Sequence, residues 1–300
     1  MDGSVKKQGP GRGRVLVLLE LIRLPGMFTA HADILAAFVF VKAGSDHLSS
    51  LFWLVLASSC LFSAGMALND YFDAARDARE RPGRPIPSGR ISRSAALFLG
   101  GGLILAGVGA AWMATSLSFF ISLALAATIL LYDGLLKRSL AGPFAMALCR
   151  YLNFLMGLSV LPFEGWFLVP LITAVYILGV TILSRKEARG GKAVMNIGGC
   201  TLCIGCSFVI FYFLYLNQMI TSFLAVILMF GLMTCLALEV LRLLEFNQPI
   251  HYQGTMKTLL LAIILLDTII ALGGGLTWAA VLIPGLYFPA KLSVRLFNVT

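Results

Sequence analysis

NDYFDAARDARERPGRPIPSG, Asn69 to Gly89, directly follows the apolar run LFWLVLASSCLFSAGMAL, Leu51 to Leu68. The junction of these two stretches decides the fold. An uncharged run of this length nearly spans the hydrocarbon core of a bilayer, which is about 30 Å thick. Similar runs recur along the 300-residue chain, which is 59% hydrophobic and only 12% charged. Soluble domains carry about 25% charged residues. Inside lipid every backbone polar group must be satisfied internally, so spans are helices or closed barrels. Uninterrupted apolar runs lack the alternation of barrel strands. The expected fold class is all-α: a polytopic membrane protein with about nine transmembrane helices.

Working outward, the spans fall near 15–42, 49–70, 94–114, 117–131, 143–161, 166–184, 194–216, 219–240 and a last long or hairpin-like segment within 257–290. Residues 1–14 form a basic tail, and 15–300 a single domain. The first apolar segment is long and lacks a small-residue cleavage site, so it is expected to stay as a span. Every second connection is long and charged: 71–93, 132–142, 185–193 and 242–256. Two of these, YFDAARDARERPGRP and SRKEARGGK, resemble each other loosely, which points to two related halves around a central cavity.

The net charge is +9, a value that could indicate nucleic acid. Its placement argues against that partner. Eighteen of the 23 Lys and Arg residues fall on the side of the amino terminus and the charged loops. By the positive-inside rule that side is cytoplasmic. The expected location is an integral membrane, with membrane lipid as a partner and a bacterial inner membrane as the setting.

The carboxylates after Leu68 need a different reason. At about 100° per residue, Asn69, Asp73 and Asp77 lie within about 80° of one another on a helix, with Asp70 just beyond. Like charges this close repel unless a cation sits among them. A site with one or two carboxylates, waters and substrate phosphates suits Mg²⁺. The neighbouring Arg76, Arg79, Arg81 and Arg84 suit phosphate oxygens, because each guanidinium donates paired bonds. RPGRPIPSG then breaks the helix with prolines and glycines and has the makings of a lid. Acid for metal and Arg for phosphate at a membrane surface implies a diphosphate with an apolar tail. The bland alternative is a solvated topology loop, which has no need of three Asp on one helix end.

The stretch NDYFDAARDARERPGRPIPSGRIS resembles the first signature of the UbiA superfamily of intramembrane prenyltransferases, NDxxDxxxD followed by a basic RPxxxG-type segment; Asn69, Asp70, Asp73 and Asp77 match its defining positions. RLPGMFTA and LYDGLLKR resemble two further segments of that family, and the resemblance covers most of the chain. It implies that Asn69, Asp73 and Asp77 hold Mg²⁺ and a prenyl diphosphate, and that Arg81 or Arg84, with Tyr132 and Lys137, contacts the diphosphate. The reaction implied is transfer of the prenyl group to a small aromatic or lipid-like acceptor whose identity the sequence leaves open. Asp70 or Glu187 is the candidate base for the last proton.

The chain departs from the family at the second acidic motif. There it reads LGVTILSRKEARGGK, with Glu187 the one acidic residue among Arg185, Lys186, Arg189 and Lys192. Either those cations, Arg185, Lys186 and Arg189 above all, screen the diphosphate in place of a second metal, or this chain has lost prenyl transfer. SRKEARGG and GPFAMALCRYLNFLMGLS resemble the EboC-type branch of the superfamily, for which a carrier or exporter of a lipophilic metabolite is the competing function. A phosphatidyltransferase using a CDP-linked substrate would need a DGxxAR element, and Asp73 is followed by Ala74.

Among residues inside the apolar runs, Arg150 and Asn153 share one helix face and are expected to line the central site, because a buried Arg needs a cavity or a partner. Glu20 and Arg23, three apart, are expected to pair with each other. His31, Asp33 and the isolated Asp267 carry no clear role. Cys60, Cys149, Cys200, Cys203, Cys206 and Cys235 all lie in apolar runs and are expected to pack as small hydrophobes.

Overall fold

The computed structural model describes residues 12–162, 165–185, 191–245, 249–275 and 280–297. Within them the regular structure is helical, without strands. The helices are α1 Arg12–Leu21, α2 Leu24–Phe40, α3 Leu48–Glu80, α4 Arg93–Ala114, α5 Ser116–Leu131, α6 Gly142–Leu158, α7 Pro170–Leu183, α8 Gly191–Leu216, α9 Phe223–Leu241, α10 Pro249–Gly273 and α11 Tyr287–Phe297.

Seven of the described helical segments are long and apolar enough to cross a membrane by length and composition. The helices α2 and α6 have 17 residues each. At 1.5 Å per residue that is about 26 Å, a little less than the hydrocarbon core. The expected number of nine is therefore not reached on that criterion. Exposed Phe98, Leu105, Phe120, Leu202 and Phe230 give the outside the apolar surface lipid requires.

Local chemistry sets the helix starts. Pro25, Pro143 and Pro170 stand in the first turns of α2, α6 and α7, where the missing N–H would have had no partner. Ser92 caps α4, Ser222 caps α9, and Thr115 with Ser118 forms a reciprocal capping box on α5.

Three expected boundaries move. The segment 15–42 is broken between α1 and α2, where Arg23 adopts a left-handed conformation with φ 49°. Pro25 has no N–H to donate to the preceding turn and crowds Leu24, so one continuous helix is excluded. The span expected at 49–70 lies on α3, which runs 33 residues, to Glu80; the helix continues through Asp73 and Asp77 as their spacing had it, so the first ten residues of the expected loop 71–93 are helical. The sequence 71–80 consists largely of Ala, Arg, Asp and Glu, and Pro82 then forces Arg81 out of helical geometry, at φ −146° and ψ 64°. The last apolar segment ends at Gly273 and is followed by the short α11.

The helix α2 packs against α3, α6 and α10 and contributes to both major cores. Close approach depends on small residues. A Cβ on Gly157 would stand 2.7 Å from the Cβ of Ala37, and one on Gly274 only 2.6 Å from the carbonyl oxygen of Phe40. The cysteine expectation holds for Cys200, fully buried, whose backbone carbonyl would lie 3.1 Å from a Cβ on Gly179. All six cysteines are unpaired.

Candidate functional site

The last three turns of α3 carry the site. Asn69, Asp70, Asp73 and Asp77 are all buried although they are polar, at 7%, 4%, 7% and 5% exposure. Each faces a partner supplied by another segment. Arg84, on the Pro-rich loop after α3, places Nη1 2.6 Å from Asp77 Oδ2 and 3.3 Å from Asp70 Oδ1. Arg23, at the break between α1 and α2, places Nη2 3.2 Å from the same Asp70 oxygen. The Lys137 ammonium and the Arg138 guanidinium both donate to Asp73, the latter at 3.3 Å.

The segment after α5 explains how Lys137 and Arg138 arrive there. Residues Tyr132–Leu136 form a π-turn, closed by a bond from Lys137 N–H to Tyr132 O at 2.9 Å. Such turns hold one residue more than an α-turn and concentrate at functional sites. The same turn buries Asp133, whose Oδ1 accepts from Asn69 Nδ2 at 3.1 Å. That bond uses the amide nitrogen of Asn69 and leaves its carbonyl oxygen as the free acceptor.

The Pro-rich loop is folded back over the site. Arg90 forms a two-pronged contact with Glu20, at 2.6 and 3.0 Å, and donates to the Gly83 carbonyl at 2.6 Å. Glu20 therefore does not pair with Arg23, as its spacing had predicted. Arg81 is partly buried in the same wall. Burial, and then the adjacent Arg84, lower its pKa from the usual guanidinium value.

Two cavities meet at these residues. A polar one of about 460 Å³ is bounded by Asp73, Asp77, Arg81, Arg84, Lys137 and Arg185. An apolar one of about 470 Å³ runs between α2, α3, α5, α6, α7 and α10 past Phe62, Leu125, Ile129, Ile177 and Leu261. Arg23, Met66, Asn69, Tyr132 and Met146 line both. The arrangement offers anion contacts at one end and an apolar space at the other.

The remaining expected residues divide. Tyr132 stands at the junction of the two cavities, whereas Arg150 and Asn153 line only the apolar one. Arg185 donates to the Ser139 carbonyl at the rim. Lys186, Glu187 and Arg189 lie outside the described residues. Sequence reading left out Arg138 and gave Asp133 no firm role. The adjacency of Arg138 to Lys137 is a usable signal. The Asn69–Asp133 bond spans 64 positions and has no local signature.

Among the described residues no three His, Cys, Asp or Glu side chains converge on one point as a metal cage. The donors present are nonetheless oxygen atoms of the kind Mg²⁺ prefers, and that ion is held through one or two carboxylates together with substrate phosphates. The donor set fits an ion completed by a diphosphate, not one enclosed by protein alone.

Comparison with known proteins identifies the family and the fold. The model of the UbiA prenyltransferase family matches residues 33–249. A digeranylgeranylglyceryl phosphate synthase of Methanoregula boonei is 36% identical over 147 residues, 47% of this chain and 52% of the relative. The chain thus spans about half the length of that relative. The protein of the same name from Sulfurisphaera tokodaii is 30% identical over 196 residues, 63% of this chain and 69% of the relative. A solved digeranylgeranylglyceryl phosphate synthase shares the fold at a TM-score of 0.67 and 19% identity, covering 87% of this chain and 98% of that one. A UbiA homologue of Archaeoglobus fulgidus bound to GPP and Mg²⁺ does so at a TM-score of 0.59 and 13% identity, covering 91% and 99%. Carboxylates at the end of a membrane helix, basic side chains facing them, and a family match over most of the chain lead to one conclusion: this chain is a membrane protein of the UbiA prenyltransferase family.

Proposed function

We propose that the protein transfers a prenyl group from a prenyl diphosphate to a lipid-like acceptor at the membrane, with Mg²⁺. The observation that carries this reading is the buried row Asn69, Asp70, Asp73 and Asp77 at the point where a cation-lined cavity joins an apolar one. The names of the relatives favour an acceptor that carries a glyceryl phosphate over an aromatic ring.

In this reading Asp73, Asp77 and the free carbonyl of Asn69 would hold Mg²⁺, and the ion would supply positive charge against the leaving diphosphate. Arg84, Lys137 and Arg138 turn from the carboxylates to phosphate oxygens, and Arg81 and Arg185 complete the anion site. The allylic carbon–oxygen bond breaks with its electron pair passing to the diphosphate. An acceptor oxygen bonds to that carbon and releases its proton. Asp70, held by Arg23 and Arg84, positions those two arginines, so Glu187 is the better candidate base. The apolar walls keep water from the reacting carbon.

The charge distribution favours a cytoplasmic face for this site and for the amino terminus. The relatives are archaeal and give the bacterial setting no support. Their names also do not point to the EboC-type branch. A non-catalytic carrier remains the second reading because residues 185–193 offer one carboxylate, Glu187, where the family's second acidic motif would stand.

The deciding experiment is diphosphate release by the protein in lipid, with prenyl diphosphates of several lengths and glyceryl phosphate lipids as acceptors. Mg²⁺-dependent release that disappears in Asp73→Asn supports the enzyme. Binding without release for every pair supports the carrier.

A further inference from the structure

Away from the phosphate site, α2, α6 and α10 bring together charges that the prenyl-transfer reading does not use. Asp33 and Asp267 are both fully buried, at 0% exposure, and Arg150 retains 10% of its side-chain surface. Arg150 Nε lies 2.8 Å from Asp33 Oδ2, and its Nη2 lies 3.5 Å from Asp267 Oδ2. Asn153 Nδ2 donates to Asp33 Oδ2 at 2.8 Å. Nη2 also donates to the Thr29 carbonyl at 2.7 Å and Nη1 to the Thr29 hydroxyl at 3.3 Å, while Nε, for all its closeness to Asp33, is not aligned for a hydrogen bond.

The count of charges does not close. Two carboxylates face one guanidinium, and three carboxylate oxygens, Asp33 Oδ1 and both of Asp267, have no hydrogen-bond donor. An uncompensated charge in the bilayer interior costs several kcal/mol, which is why such groups are paired or neutral. Both carboxyl groups face the same guanidinium, Asp33 at Nε and Asp267 at Nη2. Carboxyls that share a site in this way hold one proton between them, and it belongs to the pair.

On the helices packed against α2, α6 and α10 the following groups are engaged with partners outside the cluster or with Asn153. On α7, the Tyr176 hydroxyl donates to the Leu259 carbonyl at 2.8 Å. On α3, Ser58 donates to Asn153 Oδ1 at 2.8 Å, and Ser59 lies 2.7 Å from His31 Nε2. On α9, Glu239 accepts from Thr255, 12 residues before Asp267 and about 18 Å along α10. On α11, Lys291 lies over the ring of Tyr287.

We propose that Asp33 and Asp267, clamped by Arg150, form a proton-binding site within the membrane in which one proton is held between the two carboxyl groups. With that proton the cluster is neutral and ties α2, α6 and α10 together. Losing it leaves one unpaired negative charge beside the apolar cavity and drives α2 and α10 apart. Arg150 and Asn153 belong to the wall of that cavity, so the proton sits one side chain away from any lipid chain bound there. A sodium ion suits the place poorly, because three free oxygens from two side chains do not make its shell.

The test is infrared spectroscopy of the full-length protein in lipid, with isotope-labelled aspartate carboxyls, across a pH series. The expected result is the carbonyl stretch of a protonated aspartic acid near neutral pH, shifted by the label. It should be lost in Asp267→Asn and persist in Asp133→Asn, which controls for a buried carboxyl outside the cluster. Should Asp267→Asn fail to fold, the native protein still decides. Raising the pH should remove the band and lower the melting temperature together. No protonated aspartate in the native protein, or a band unchanged in both Asp33→Asn and Asp267→Asn, overturns the proposal. So does a native protein without the band whose melting temperature rises with sodium at constant pH.

Discussion

Arg84 Nη1 stands 2.6 Å from Asp77 Oδ2, so a loop cation occupies the carboxylate that metal and diphosphate would need. The same nitrogen reaches Asp70, seven residues earlier on α3. Substrate binding at this site must therefore exchange partners. A charge-assisted bond contributes about 1.5–3 kcal/mol, which is about ten- to a hundredfold in a binding constant. Arg84→Gln is expected to raise the KM for prenyl diphosphate by that factor and to lower the Mg²⁺ concentration needed for half-maximal activity, because Asp77 is freed. Titration of both ligands against initial rate checks this. A higher Mg²⁺ requirement would show that Arg84 does not compete with the ion.

Among the described residues Asp73 is held from one segment only, by Lys137 and Arg138. Asp73→Asn should reduce diphosphate release by about a hundredfold or more, the loss typical of one charge-stabilising group. Lys137→Met should reduce it less, because Arg138 still reaches the same carboxylate. Equal losses in the two variants would mean that Arg138 cannot stand in for Lys137 at the diphosphate.

Arg23 combines a left-handed backbone with a contact to Asp70. The conformation costs a non-glycine residue about 1–2 kcal/mol. Arg23→Gly is expected to leave the melting temperature unchanged or higher while activity falls. A clear loss of stability would show that the side chain serves the fold more than the site.

Glu20 and Arg90 pin the Pro-rich loop, and both are partly exposed, at 33% and 39% of their side-chain surface. Such pairs add about 0–1 kcal/mol to stability. Glu20→Gln should hardly move the melting temperature but should speed hydrogen exchange of residues 82–91. Unchanged exchange would assign the anchoring to the Arg90–Gly83 bond instead.

Gly157 is packed on Ala37 and on the backbone of Ile34, with no room for a Cβ. Overpacking of this kind costs about 1–3 kcal/mol. Gly157→Ala should lower the melting temperature in detergent, whereas Gly101→Ala, with open space around it, should not. Equal melting temperatures would mean that α2 and α6 can slide apart freely.

The parts of this molecule legible in its sequence are those set by local rules. Helical class, the apolar segments and the row Asn69, Asp73 and Asp77 follow from run length and from 100° per residue. The end of α3 is legible in the same way: hydropathy falls at Asn69, where the apolar span ends, while helix propensity does not fall until Pro82. Partners distant in sequence were not legible. Nothing near Asp267 or Asp33 announces Arg150 between them, and Glu20 meets Arg90 across a loop whose fold depends on three prolines. Those contacts arise from packing of α2 against its neighbours, which no window of sequence contains.

The widened turn at Tyr132–Leu136 makes this stretch sensitive to length as well as to composition. Its extra residue lets Asp133 face Asn69 while Lys137 and Arg138 face Asp73. Deleting one residue there would restore ordinary helical spacing and swing everything downstream by about 100°. Both basic groups would leave Asp73 with no side chain replaced. In this segment a single-codon deletion would therefore disable the site as thoroughly as loss of Lys137 and Arg138 together, while substitution of Leu135, which is exposed, would pass unnoticed.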